Sequence, residues 1–453
     1  MRRKSNTIDM LNGPLALKLV QFAIPLALAG FLQQLFNSAD AAVAGRFVGP
    51  EALAAIGGTT PVVMLLISLF TGLSVGTNVL VALRIGQGHP ERIGDAVHTS
   101  IAVALASGFI LLVAGIAFVG PLLELIAMPE DAFEPAVLYL DIFFLGMPFS
   151  MLYNFGSAVL RSKGDTQRPL YALVVAVLLN VGLNVAFVTV VPWGIAGVAI
   201  ATDIANAAAA GLIVWFLMHE EGPYRLNWRT LRATKAELLI IVKIGLPAGL
   251  QGVVFSLSNV VIQSGINSFG TASTAGVAAA LNFEFYTYFL INAFTQAAVT
   301  FVGQNFAAKK FDRCDKVFRL CLAFGMGSVI VLNGVWLSLG TTALQIFTTD
   351  DAALEYALMR WWYGMAFQFI AATYEVTAGT MRGMGWSMTP TVITIVGSCV
   401  LRIIWMFTVF AAAPDFVTLV IVYPISWVVT GVAMFVTYYF VRKRAYAKAA
   451  EEA

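Results

Sequence analysis

Long apolar runs separated by short polar punctuation organise this chain. A membrane-spanning helix needs roughly 20 mostly apolar residues, and twelve stretches meet that requirement. In the first half they are 15–40, 52–82, 96–120, 135–160, 169–191 and 194–218. In the second half they are 238–266, 273–302, 317–341, 354–381, 389–412 and 416–441. Several exceed the minimum, which predicts tilt or extension into water. The polar segment HEEGPYRLNWRTLRATKAE (219–237) separates the two sets.

The punctuation repeats. LRSKGDTQRP (160–169) and MRGMGWSMTP (381–390) both run hydrophobe, Arg, two residues, Gly, four residues, Pro. Pro25 matches Pro247 at nearly the same offset, Asn37 then falls on Asn259, and RIGQG (84–88) matches FVGQN (301–305). One match of this kind is weak, but the same order at a near-constant offset is not. The pattern predicts two six-helix repeats, 1–218 and 238–453, joined by the linker 219–237. An even number of spans returns the chain to its starting side, so the repeats are parallel, related by an axis along the membrane normal. Each Arg-Gly-Pro stretch is then a turn between the fourth and fifth helices of its half. The glycine permits the turn, and the proline opens a helix where its missing N–H costs little.

Composition agrees with an all-α integral membrane protein. The chain is 59% hydrophobic and 11% charged, with mean hydropathy +0.83, where a soluble domain carries about 25% charged residues. Most of the 27 lysines and arginines fall in segments on one side, among them RRK (2–4), KKFDR (309–313) and RKR (442–444). Arg46 and Arg360 fall on the other side with the acidic PED (129–131) and TDD (349–351), and Arg402 falls inside a span. Such sorting is the positive-inside rule. It places both termini in the cytoplasm. The basic start lacks a convincing cleavage site, so the first segment is expected to be retained. The net charge of +2 gives no reason to expect nucleic acid.

Charge inside a span is costly and usually has a reason. Among the acids that lie there, Asp40, Asp203, Glu284 and Glu375 are the candidates. Asn180 and Asn184 stand one turn apart on the fifth helix and share a face, and the sixth offers Thr202 and Asp203. With Asp40 these form a candidate cation-coupling pocket in the first half. Glu284 lies near mid-depth among Phe283, Phe285, Tyr286 and Tyr288. Together with Tyr288 it is the candidate substrate contact, since an acid beside aromatic faces suits an organic cation. The alternative is a protonated Glu hydrogen-bonded between helices. Glu375 and Arg402 are expected to form a structural ion pair. Cys314, Cys321 and Cys399 show no metal spacing, and no metal is expected. There is no GxxxxGK[ST], no HExxH and no Ser/His/Asp arrangement. These absences predict a protein that is not an enzyme and carries no cofactor.

The segments IPLALAGFLQQLFNSADAAVAGRFVGPEALAAIG, LRSKGDTQRP, PWGIAGVAIAT and MRGMGWSMTP resemble the multidrug and toxic compound extrusion family along nearly the whole chain. The resemblance implies two six-helix lobes around a V-shaped central cleft. It also implies export of organic, often cationic compounds in exchange for H⁺ or Na⁺. The family's cation site uses a first-helix Asp matching Asp40, a fifth-helix Asn matching Asn180 and a sixth-helix residue matching Thr202. The first-helix proline at which members bend matches Pro25. Many members carry an Asp where this chain has Asn184, and some carry acids in the seventh and tenth helices. Here Ser256 stands near the first of these places and Glu375 a turn from the second. The expected partners are small organic substrates and the lipid bilayer of the plasma membrane, with the chain a monomer. A lipid-linked precursor flippase of the same superfamily is the alternative. It would need several basic residues in the cleft to meet a pyrophosphate, and Arg402 is the one this reading places there.

Overall fold

In hydrocarbon a backbone N–H or C=O finds no water, so a spanning segment satisfies its own hydrogen bonds as a helix. The computed structural model describes residues 7–126 and 128–451, and among them it has no strand. The basic run at 2–4 lies outside the described residues. The first repeat contains α1 (Leu15–Val43), α2 (Pro50–Gln87), α3 (Pro90–Leu125), α4 (Glu130–Leu145), α5 (Met147–Lys163), α6 (Gln167–Val185) and α7 (Gly194–Met218). The second contains α8 (Lys235–Asn267), α9 (Thr271–Ala307), α10 (Phe311–Leu339), the short α11 (Thr341–Leu344), α12 (Asp351–Tyr363) and α13 (Ala371–Gly383). It closes with α14 (Met388–Thr394), α15 (Leu401–Trp405), α16 (Phe416–Val420) and α17 (Val422–Glu451).

Ten helices among the described residues are long and apolar enough to span a membrane, and α4 with α5 makes an eleventh, bent by 47°. The stretch predicted at 354–381 is present in three pieces, α12, a 3₁₀ segment at Met365–Ile370, and α13. Helix ends follow local chemistry. Pro50, Pro90 and Pro148 sit in first turns, where a missing N–H removes no intrahelical bond. The glycines of the repeated turns, Gly164 and Gly385, have φ of 98° and 86°, a conformation glycine adopts without a Cβ clash.

The chain divides into two compact units, Met1–Asp9 with Leu28–Gly249, and Met10–Ala27 with Leu250–Ala453. Thus α1 and α8 each pass from one unit to the other just beyond a proline, Pro25 and Pro247. Both helices run on through that proline. Within the first unit, α2 meets the first half of α8 backbone to backbone. A Cβ on Gly72 would strike Gly249, and one on Gly76 would strike the Ile241 carbonyl. Small residues permit such close approach in lipid, where van der Waals contact replaces the hydrophobic drive.

The linker is ordered by charge. Glu220 pairs with Lys163 and Arg168 of the first Arg-Gly-Pro turn, and Glu237 takes Arg84 in a two-pronged contact of 2.8 and 3.0 Å. Burial pushes the Glu220 carboxyl upward, but hydrogen bonds and charge from Lys163 and Arg168 outweigh it and hold the group below the usual carboxylate value.

Candidate functional site

The site grows from an apolar seam in the first unit. Phe36 of α1, Ala176 of α6, and Ala205 and Ala209 of α7 are buried against one another. Helical spacing places Asp40 one turn beyond Phe36 and Asn180 one turn beyond Ala176, with Thr202 one turn before Ala205. The seam therefore continues as a polar cluster. Asp40 Oδ1 accepts from Asn184 Nδ2 at 2.6 Å and from Asn180 Nδ2 at 3.0 Å. Its Oδ2 accepts from Thr202 Oγ1 at 2.9 Å. Asn184 Nδ2 also reaches Asn180 Oδ1 at 3.1 Å. Asp40 is 5% exposed and both asparagines are fully buried.

Two features give the cluster its chemistry. Asp40 has no ion-pair partner among the described residues, so only neutral groups surround its carboxyl. Asn184 Oδ1 is buried and accepts no hydrogen bond. An acid held by neutral donors beside an idle oxygen can take up and release a single cation. The helices that carry it also loosen there. α1 gives way to a π-helical stretch at Ala44–Val48 and α6 to one at Ala186–Val190, and such departures gather at functional sites.

Asp203 does not join the cluster. One residue beyond Thr202, it sits about 100° around α7 and meets the bend between α4 and α5. A Cβ on Gly146 would strike its carboxyl group, and its Oδ1 has no hydrogen-bond partner. Tyr139 of α4, buried at 6% exposure, feels the charges of both Asp40 and Asp203. Nothing in the run VLYLDIFF distinguishes this tyrosine from a packing residue.

The second unit corrects two expectations. Glu284 is not a free acid. Its oxygens take Arg360 Nε and Nη2, both at 2.8 Å, and its backbone carbonyl accepts from Gln368 at 3.0 Å. Arg360, expected on the outer side, is buried at 3% exposure. Glu375 and Arg402 form no ion pair. Arg402 Nε donates to Ser426 Oγ at 3.0 Å, and the guanidinium acting on Glu375 is that of Arg382. Glu375 and Arg402 sit on helices whose rotation turns them to different neighbours. Tyr288 is 36% exposed on α9.

Comparison with known proteins gives the family. The MatE family model matches residues 25–186 and 247–408, so both matches open on the repeated prolines and together cover well over half of the chain. The probable multidrug resistance protein YoeA of Bacillus subtilis (strain 168) is 27% identical over 383 residues, 83% of this chain and 82% of its own. The multidrug export protein MepA of Staphylococcus aureus (strain NCTC 8325 / PS 47) is 21% identical over 392 residues, 86% of each chain. Among solved structures, an outward-facing multidrug resistance MATE family transporter of the MOP superfamily superposes with TM-score 0.89. Its identity is 20%, covering 99% of this chain and 100% of that one. A MATE in the bent conformation gives 0.87 at 20% identity, over 98% and 99%. The repeat in the sequence, the fold and the family model agree: the chain belongs to the MatE family of multidrug and toxic compound extrusion transporters.

Proposed function

We propose that this transporter exports small amphipathic organic compounds, cationic ones among them, in exchange for protons carried on Asp40. The observation that supports this reading is the bonding of Asp40: three neutral donors, no base, and an idle amide oxygen next to it. A proton on Asp40 converts one carboxyl oxygen from acceptor to donor. Rotating the Asn184 amide would offer its oxygen where its nitrogen now sits. One rotation then accommodates either protonation state. Asn180, Asn184 and Thr202 also supply oxygens that suit Na⁺. A hard cation favours more than one carboxylate, however, and position 184 carries none, so the proton is the better fit. Asp203, beside the α4–α5 bend, is the reserve proton carrier.

Exchange at Asp40 becomes export if the two states of the transporter differ in affinity for the proton, since a ligand shifts an equilibrium only through such a difference. Pro25 removes one hydrogen bond from α1 and leaves that helix free to bend there. The moving lobes follow the repeats, 1–218 and 238–453, with 219–237 linking them and both termini cytoplasmic in the plasma membrane. The chain acts as a monomer, and Tyr288 contacts substrate. The test is proton-driven uptake of a fluorescent cation into inverted vesicles. Asp40→Asn at matched expression should abolish the response to a pH gradient, and retained wild-type pH dependence would sink the assignment.

A further inference from the structure

The second unit buries an arginine with no acid partner among the described residues. Arg402 lies in the eleventh span at 1% exposure. Apart from the Nε bond to Ser426, its N–H groups make no hydrogen bond among the described residues, and it has no carboxylate partner there. The guanidinium rests against two rings, 5.2 Å from the Phe255 centroid and 4.5 Å from that of Tyr423. Tyr423 is shared, because Arg360 lies 4.4 Å from the same centroid. Glu284 occupies Nε and Nη2 of Arg360, while Nη1 is buried with no hydrogen-bond partner.

Aromatic faces attract a cation but do not cancel its charge. Glu284 cancels Arg360, so the cluster keeps the full positive charge of Arg402. A buried charge in apolar surroundings is costly and is normally paired. Glu375, expected as its partner, forms no ion pair with it. We propose that Arg402 and the free Nη1 of Arg360 form an anion site beside Tyr423. A compact monovalent anion fills it, either chloride or the carboxylate of a transported compound. Guanidinium N–H groups match a carboxylate and serve a halide equally as donors. The site is separate from Asp40 and does not depend on the coupling assigned there. It would extend the range of handled compounds from cations to zwitterions and anions.

Thermal unfolding of the purified full chain, at constant ionic strength with chloride replacing the bulkier isethionate, which carries no carboxylate, tests this directly. An anion that binds only the folded state raises the midpoint by mass action. The midpoint should rise by a few degrees across the chloride series in wild type. It should rise equally in Arg442→Gln, which removes one positive charge at a distant pair with Asp315. It should stay flat in Arg402→Gln. Acetate in place of chloride separates the sources: a matching rise means a carboxylate site, and no rise means a halide site. A flat wild-type response to both anions overturns the proposal, as does an undiminished rise in Arg402→Gln. Should that variant fail to fold, chloride NMR line broadening on wild type decides, and absence of broadening overturns the site.

Discussion

Asp40 and Glu284 are both carboxylates buried in apolar helices, one in each unit, yet their surroundings have opposite character. Asp40 is met by two amides and a hydroxyl, and no base pairs with it among the described residues. Glu284 is clamped by a buried guanidinium through two bonds. The first arrangement leaves the acid free to change its charge, because no fixed partner loses its counter-ion when a proton arrives. The second ties the acid to the fold, since losing Glu284 would strand Arg360. The same contrast runs through the turns. LRSKGDTQRP carries Lys163, Asp165 and Arg168 in an ion network with Glu220, while MRGMGWSMTP carries no ion pair among the described residues. One scaffold, written twice, thus holds a carboxylate met by neutral donors in one half and a paired carboxylate beside an arginine with no acid partner among the described residues in the other.

The largest effect should come from Asp40. Asp40→Asn removes the only charge of its cluster and should reduce gradient-driven transport to that of empty vesicles, while unfolding in detergent stays near wild type. A collapse of stability instead would make the cluster structural. Glu284→Ala should behave in the opposite manner. It leaves Arg360 buried without its partner, a loss of about 3–5 kcal/mol, read as a lower midpoint of chemical unfolding. The double variant Glu284→Leu with Arg360→Met should recover most of that stability, because apolar replacement of a whole buried pair is often neutral. If the single variant is as stable as wild type, the two carboxylates do not differ as described.

Asn184→Asp sharpens the comparison by adding a second acid beside Asp40. It should strengthen hard-cation binding and introduce Na⁺-dependence into transport, measured by flux under an imposed Na⁺ gradient. Unchanged ion preference would remove residue 184 from the proposed coupling site. The smallest effect belongs to the linker. Glu220 is held below its ordinary value, so its contribution is present above about pH 4.5 and is lost as pH falls through the folded value. Glu220→Gln should cost about 1 kcal/mol near neutrality and flatten the acid limb of the stability profile. An unaltered acid limb would show that the network does not support the turn.

The spans, their repetition and the polar residues of the first unit were legible in sequence because the bilayer leaves few solutions. A backbone without water must be helical, so length and apolarity mark each crossing, and charge inside one stands out. Asn180 and Asn184 share a face through spacing alone, and Asp40 was the conspicuous acid. The 354–381 stretch was legible as a crossing, but its division at Gly364 and the 3₁₀ turn after it was not. That break gives the stretch two helical arms, and it lies one turn after Arg360, in a segment whose charge sorting pointed to water.

Partner choice was decided by tertiary structure. Asp203 follows Thr202 in the chain yet faces Gly146, because adjacent residues on a helix diverge by about 100°. Glu284 met Arg360 rather than a substrate, and Arg402 met Tyr423 and Phe255 rather than Glu375. Sequence determines which residues a helix carries and how they are spaced along it. The rotation of that helix against its neighbours is set by packing between segments far apart in the chain, and a buried charge is neutralised or left bare according to the side chain that this rotation brings opposite.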